Sequence, residues 1–200
     1  MKTTNTLICI LLLFTATSLF AQNNFTEGYV ITWQNDTIHG KIRERSPFMA
    51  DDLVELKNMR GTVIKFTSRD IKGYSKSGIV HYIIIDNGWK QEFARIINDG
   101  EIKLLLIRRK STTTSSTDMS GLIHSGDSYI KEEYYLFNVV NKQLTRVWES
   151  NFKTKMADYF SDYAELRNLI LNKELRYNDL EIVVAKYNTW KRDQNITNEI

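Results

Sequence analysis

Two stretches of this chain are apolar on both faces if they run as strands, and that property limits the folds open to it more than any other. In IVHYIIID, Ile79 to Asp86, the odd positions carry Ile79, His81, Ile83 and Ile85, and the even positions carry Val80, Tyr82 and Ile84. Ile102 to Ile107, within EIKLLLIRRK, has the same character. Side chains alternate across a strand, so such stretches need cover on both sides, which one sheet with a wet face cannot supply. A second layer is required.

The last quarter of the chain can provide it. Phe152, Met156 and Phe160 recur at four-residue spacing, Asp162 with Glu165 makes a capping-box pattern ahead of Leu166, Leu169 and Ile170, and Asn178 with Glu181 repeats it ahead of Val184 and Tyr187. About three helices are predicted over residues 151–192, with 193–200 as a tail. Upstream, strand signals alternate with turn signals. GYVITWQNDTIHGKI, Gly28 to Ile42, predicts a hairpin with Tyr29, Ile31 and Trp33 on one face, a two-residue turn around Asn35 and Asp36, and Ile38 and Ile42 on the return. LVELKNMRGTVIKFT turns at Asn58 to Gly61, and SRDIKGY forms a capped turn leading to Gly73. Turns at Asn87-Gly88 and Asn98-Asp99-Gly100 separate three further strands. SYIKEEYYLFNVV and LTRVW, on either side of a turn at Asn141 to Gln143, add two more. Ser111 to Ser128 is dominated by hydroxyl residues and glycine, shows neither period, and is expected to be a mobile loop. The fold expected is α+β: an antiparallel β-rich meander over residues 22–150, a curled sheet or partial barrel, with the helices packed on it.

The first residues predict export. Lys2 precedes an unbroken apolar stretch from Leu7 to Phe14, and the small residue Ala21 is followed by Gln22. That is a signal peptide over residues 1–21, too short in its apolar run to span a bilayer. Cys9 lies inside the run after Ile8, so it is not placed as a lipidation site, and cleavage would remove the chain's single cysteine. The mature chain would then have no disulfide and no thiolate ligand. Its net charge, +3 for the whole sequence and about +2 without Lys2, is too small to argue for a nucleic-acid partner. The expected location is periplasmic, outer-membrane-associated or extracellular.

Candidate chemistries are weak. His39, His81 and His124 lie on three segments without H-x-H or H-E-x-x-H spacing. IHSGDS, Ile123 to Ser128, contains Ser, His and Asp but lacks a nucleophile elbow. Asp51/Asp52 and Glu132/Glu133 are adjacent pairs, and neighbours on a strand point to opposite faces, so neither pair can flank one glycosidic bond. They read as solvated residues. Gly121 and Gly126 lack the spacing of a phosphate loop. Arg108-Arg109-Lys110 reads as a charged strand end that deters edge pairing. No catalytic, cofactor-binding or metal-ligating residue is assigned.

GYVITWQNDTIHGKI, RDIKGY, DGEIKLLL and the closing YFSDYAELRNLILNKELRYNDLEIVVAKYN resemble a group of uncharacterised exported envelope proteins of the Bacteroidota. That group opens with a G-x-I-x-x-x-x-G-D-T-x-x-G-x-I hairpin, matched here by Gly28, Asp36, Thr37, Gly40 and Ile42 with Asn35 in place of a glycine, and closes with Tyr-Asn, here Tyr187-Asn188. The resemblance implies an envelope location and carries over no catalytic residue. Asp36-Thr37-Ile38 is also similar to the D-[ST]-apolar O-glycosylation sequon of such bacteria. The functional expectation is an exported, non-catalytic envelope or binding protein, its partner an envelope protein or a small apolar ligand. Two alternatives stand beside it: a carrier holding an apolar ligand in a cavity lined by Ile83, Leu104 and Tyr135, and a hydrolase with a dispersed active site.

Overall fold

The computed structural model describes residues 25–44, 53–86, 91–113, 116–117, 123–124 and 126–198. The expected signal peptide, Asp51/Asp52, the Asn87-Gly88 turn and Gly121 lie outside them, as do the side chains of His81, Ile83 and His124. The strands are β1 (Thr26–Thr32), β2 (Thr37–Glu44), β3 (Leu53–Lys57), β4 (Val63–Thr67), β5 (Ile71–Lys76), β6 (Ile79–Asp86), β7 (Gln91–Asn98), β8 (Ile102–Thr112), β9 (Ser116–Thr117), β10 (Ile123–His124), β11 (Ser128–Asn138) and β12 (Leu144–Val147). Helices α1 (Phe152–Tyr159), α2 (Ala164–Leu171) and α3 (Leu180–Asn198) follow. All pairings are antiparallel. The architecture is the α+β arrangement expected.

Ten strands form one sheet in the order β12-β11-β8-β7-β6-β5-β1-β2-β3-β4, so β1 to β4 make one meander and β5 returns to pair with β1. That return forces curvature. In a flat sheet β4 and β5 would stand four strand spacings apart, about 19 Å. The connector Ser68–Asp70 lets Thr67 and Ile71 separate by at most about 14 Å. The first five strands must therefore roll up, and the turns confirm it: Trp33 Nε1, in the β1–β2 loop, donates to the Arg69 carbonyl at 2.9 Å, and Lys72 Nζ donates to Asn35 Oδ1 at 2.5 Å. Asp70 shapes the connector, accepting from the Thr67 N–H and hydroxyl at 2.7 Å each. The roll encloses Val30, Ile42, Val54, Leu56, Ile71, Tyr74 and Phe93. The sheet does not close into a barrel; β4 and β12 remain its edges.

The first hairpin differs from expectation in face and turn. Its core face carries Val30 and Ile42, both fully buried, with Ile38 opposite Val30 at the turn end of that face and 38% exposed, while Trp33, on the expected Tyr29-Ile31-Trp33 face, is 45% exposed. The glycines decide this. Gly28 and Gly40 are cross-strand partners on the Val30 face. A Cβ on Gly28 would stand 2.0 Å from the Ser75 carbonyl oxygen, and one on Gly40 2.6 Å from that of Lys57. Only the glycine-bearing face can approach its neighbours this closely. The turn is a four-residue loop, Trp33 to Asp36, with Thr32 N–H bonded to the Asp36 carbonyl and Asn35 at φ +70°.

The helices cover one face of the second meander. Phe152, Met156, Ala157 and Phe160 of α1 and its end, Leu166 and Ile170 of α2, and Val183, Val184 and Tyr187 of α3 cluster with Ile102, Leu104, Leu136 and Val147. Leu105, Ile107, Tyr135 and Ala94 form a separate cluster with Ile96, Phe137 and Leu144. The expected capping boxes are not the ones used. Tyr163, not Asp162, precedes α2 and makes no side-chain cap, and the turn before α3 is held by Arg176 N–H donating to Asp179 Oδ2 at 2.9 Å. Residues 193–198 of the expected tail are helical, because DQNITN contains no breaker and α3 continues to Asn198. No helix among the described residues is long and apolar enough to cross a membrane.

Residues expected to form a mobile loop are also partly ordered. Ser111 and Thr112 continue β8 opposite Tyr129 and Ser128, and β9 pairs with β10, so the described part of 111–128 is a projecting hairpin arm. Extended backbone pairing needs no apolar period, which is why composition concealed it.

Candidate functional site

The structure disperses the residues that sequence singled out. His39 is exposed on β2 with its ring centroid 5.6 Å from that of Tyr29, His81 stands opposite Tyr74 and Arg95, and His124 opposite Ser116. No group of three or more His, Cys, Asp or Glu among the described residues is placed to hold a metal. Gly126 is explained by close approach within the hairpin arm, since a Cβ there would stand 1.8 Å from the Thr113 carbonyl oxygen. Of the expected cavity lining, the Ile83 side chain lies outside the described residues, and Leu104 and Tyr135 do not face one space. Leu104 opposes Leu136 and Tyr135 opposes Leu105, so Leu104 and Tyr135 point to opposite faces and join different clusters.

The densest polar cluster lies on the sheet face away from the helices. Four adjacent strands contribute Glu92 (β7), Arg109 (β8), Glu133 (β11) and Arg146 (β12). The side chains of Glu92 and Glu133 are 5% and 8% exposed. Arg109 bonds Glu92 through its Nη2 and reaches Glu133 Oε2 through its Nε at 3.0 Å. Arg146 reaches Glu133 Oε1 at 2.5 Å and lies 3.6 Å over the Trp148 ring. The Tyr135 hydroxyl donates to Glu133 Oε2 at 3.2 Å. Burial works against the Arg109 charge, yet Glu92, Tyr135 and Glu133 together hold its pKa above the ordinary value. Burial also pushes the Tyr135 phenol up.

Both oxygens of Glu133 are thus occupied by cations, and acid–base work would require breaking those bonds first. The cluster serves as a rung of alternating charge across four strands, coupling them where an apolar side chain would otherwise be needed. It corrects two expectations. Arg108-Arg109-Lys110 neither ends a strand nor guards an edge, because β8 runs on to Thr112 and lies between β7 and β11. Glu132 and Glu133 do take opposite faces, but only Glu132 is solvated, paired to Arg108 at 2.9 Å. A sequence signal existed: Glu92, Arg109, Glu133 and Arg146 share strand parity with the core residues Ala94, Ile107 and Tyr135 and with Leu144.

A second polar assembly pins α3 to the sheet. Asn188 acts as a substitute strand: its Oδ1 accepts from Ile102 N–H at 3.0 Å, and its Nδ2 donates to the Ile102 carbonyl at 2.8 Å and to Asn98 Oδ1 at 2.9 Å. Gly100 lies so close that a Cβ would be 2.4 Å from Asn188 Cγ. The preceding Tyr187 donates to Asp162 Oδ2 at 2.8 Å, and Lys191 pairs with the same oxygen at 2.9 Å. Burial first, then Asp162, raises the Tyr187 pKa far above a free phenol. For Asp162 burial acts upward, but the bonds from Lys191 and Tyr187 prevail and its pKa is lowered. An open groove of about 450 Å³ flanks Asn188, lined by Asn98, Gly100, Glu101 and Lys191. Its central polar groups are occupied in fastening the helix.

No known protein family, curated protein or solved structure matches the chain.

Proposed function

We propose that the protein is an exported, non-catalytic binding component of a bacterial envelope, of the Bacteroidota group that its hairpin and Tyr-Asn motifs resemble. One observation carries the binding reading. Large apolar side chains exposed among the described residues concentrate on the first meander: Trp33, Ile38, Met59, Val63 and Ile64 all fall within it. Isolated exposed apolar groups need no explanation, whereas a concentration of them marks a contact surface. The register puts the Trp33–Asp36 loop and the Asn58–Gly61 turn at the same end of the roll. Support for export comes from Lys2, the Leu7 to Phe14 run and Ala21.

The test is complementation of a deletion strain. A chain carrying Met59→Ser with Val63→Thr is expected to fold and fail to restore the envelope phenotype. A chain with His39, His81 and His124 all replaced by Gln is expected to restore it, with or without chelator. The reverse pattern would replace the binding reading with a catalytic or metal-dependent one.

A further inference from the structure

The outer face and turn end of β2 to β4 hold cations in an arrangement that folding alone disfavours. Lys41 and Lys57 are direct cross-strand partners, and like charges placed opposite each other destabilise a sheet. Lys65 lies one position along on the same face, opposite the buried Glu55, whose Oε2 accepts from Arg43 Nε at 2.7 Å. Arg60 occupies the adjoining turn. Among the described residues no ion pair engages Lys57, Arg60 or Lys65, and the pair of Lys41 with Glu27, at 3.5 Å, joins two largely exposed side chains. Between these cations projects Met59, 100% exposed, with Val63 43% exposed beside it and Trp33 45% exposed at the same end. The tip is rigid: Asn58 Oδ1 accepts from the N–H groups of Arg60 and Thr62 at 3.0 and 2.9 Å.

We infer that this end docks on an anionic lipid surface, with Met59 and Val63 entering the interface and Lys41, Lys57, Arg60 and Lys65 facing headgroup phosphates. A convex apolar tip set among cations suits an interface that yields to it, whereas a protein partner would need a matching concavity. Binding is peripheral. The inference rests on the envelope-binding reading and names the surface that reading leaves open.

The experiment is co-sedimentation of the mature chain with vesicles of phosphatidylcholine alone or mixed with phosphatidylglycerol, at low and high salt. Binding is expected only to the anionic vesicles and should fall as salt rises. Each cation near such a surface contributes about fivefold, so Lys57→Gln, Arg60→Gln and Lys65→Gln together should weaken binding roughly 100-fold. Thermal unfolding controls for folding, and Lys57→Gln alone should melt at or above the parent temperature, because Lys41 loses its like-charged neighbour. Met59→Ser should weaken vesicle binding several-fold while leaving binding to soluble polyphosphate unchanged. Equal affinity for neutral vesicles, or no vesicle binding, would overturn the inference. So would polyphosphate binding as tight as vesicle binding and insensitive to Met59. A chain that ignores vesicles yet loses complementation with Met59→Ser and Val63→Thr would overturn the lipid assignment alone and leave the binding reading standing.

Discussion

Asn188→Ala should destabilise the protein by about 2–3 kcal/mol, and the reason lies in what it leaves behind. The asparagine satisfies both backbone groups of Ile102, a residue 1% exposed at the start of β8. Removing its amide orphans a buried N–H and a buried C=O, each costing roughly 1–3 kcal/mol when nothing replaces the partner. Water entering from the flanking groove offsets part of that, which places the total toward the lower half of the sum. For a chain of this size the loss corresponds to a fall in Tm of about 4–12 °C. Urea unfolding should show a lower midpoint at unchanged slope, and the Ile102 amide should exchange faster than its β8 neighbours. Asn188→Asp should be worse than the alanine, since it loses the donor and sets a carboxylate against the Ile102 carbonyl. Gly100→Ala should act through the same lock, displacing Asn188, so the two alanine substitutions together should cost less than their sum. An Asn188→Ala protein within about 0.5 kcal/mol of the parent, with Ile102 protection intact, would refute the substitute-strand account.

Glu133→Gln should cost about 2–3 kcal/mol, less than a fully buried pair because Arg109 and Arg146 are partly wetted, and it should be measurable as a shift in urea midpoint without change in slope. A chain ending before Asn151 should be insoluble or molten by near-ultraviolet circular dichroism: Ile102, Leu104, Leu136 and Val147 lose their cover at roughly 1.5–3 kcal/mol each, comparable with a whole domain's stability. The folded-state pKa of Asp162 is lowered, so its contribution is present above the unfolded value near 3.8 and lost as pH falls; Asp162→Asn should flatten the acid limb of a pH–stability curve. Tyr187 and Tyr159 are raised, Tyr159 to about 12, so their contributions hold below pH 10 and are lost as pH rises through the folded values. Tyr187→Phe should reduce the alkaline loss. Protein from the native host should have the intact mass of a chain beginning at Gln22 without acyl groups.

Strand existence was legible because turn chemistry is local. Asn58 and Gly61 announce their turn through an Asx side chain and a φ of +83°, and both operate within a few residues. Faces were less legible. Tyr29-Val30-Ile31 is apolar at consecutive positions, so alternation could not choose between them, and the choice fell to Gly28 and Gly40, whose meaning lies in carbonyls of β5 and β3. That Ile102 to Ile107 needs cover is legible from its two-sided apolar pattern, but that the helices take the Leu104 face and not the Leu105 face depends on the β8–β11 register. The four-strand charge rung was hidden for a related reason: a glutamate reads as solvent-facing until the parity of its strand is tied to that of its neighbours.

Strand parity also accounts for the division of labour between the two halves of the sheet. The second meander has helices on one face and clusters Leu105, Ile107 and Tyr135 beside the charge rung on the other, so it is stabilised from both sides. The first meander encloses its core by curling, which a three-residue connector enforces. On its outer side Lys41, Val63 and Lys65 are exposed among the described residues, while Glu55 is buried there against Arg43. Cations and apolar tips can therefore accumulate there without disturbing the core, which makes it the part of the molecule where contact chemistry costs folding least.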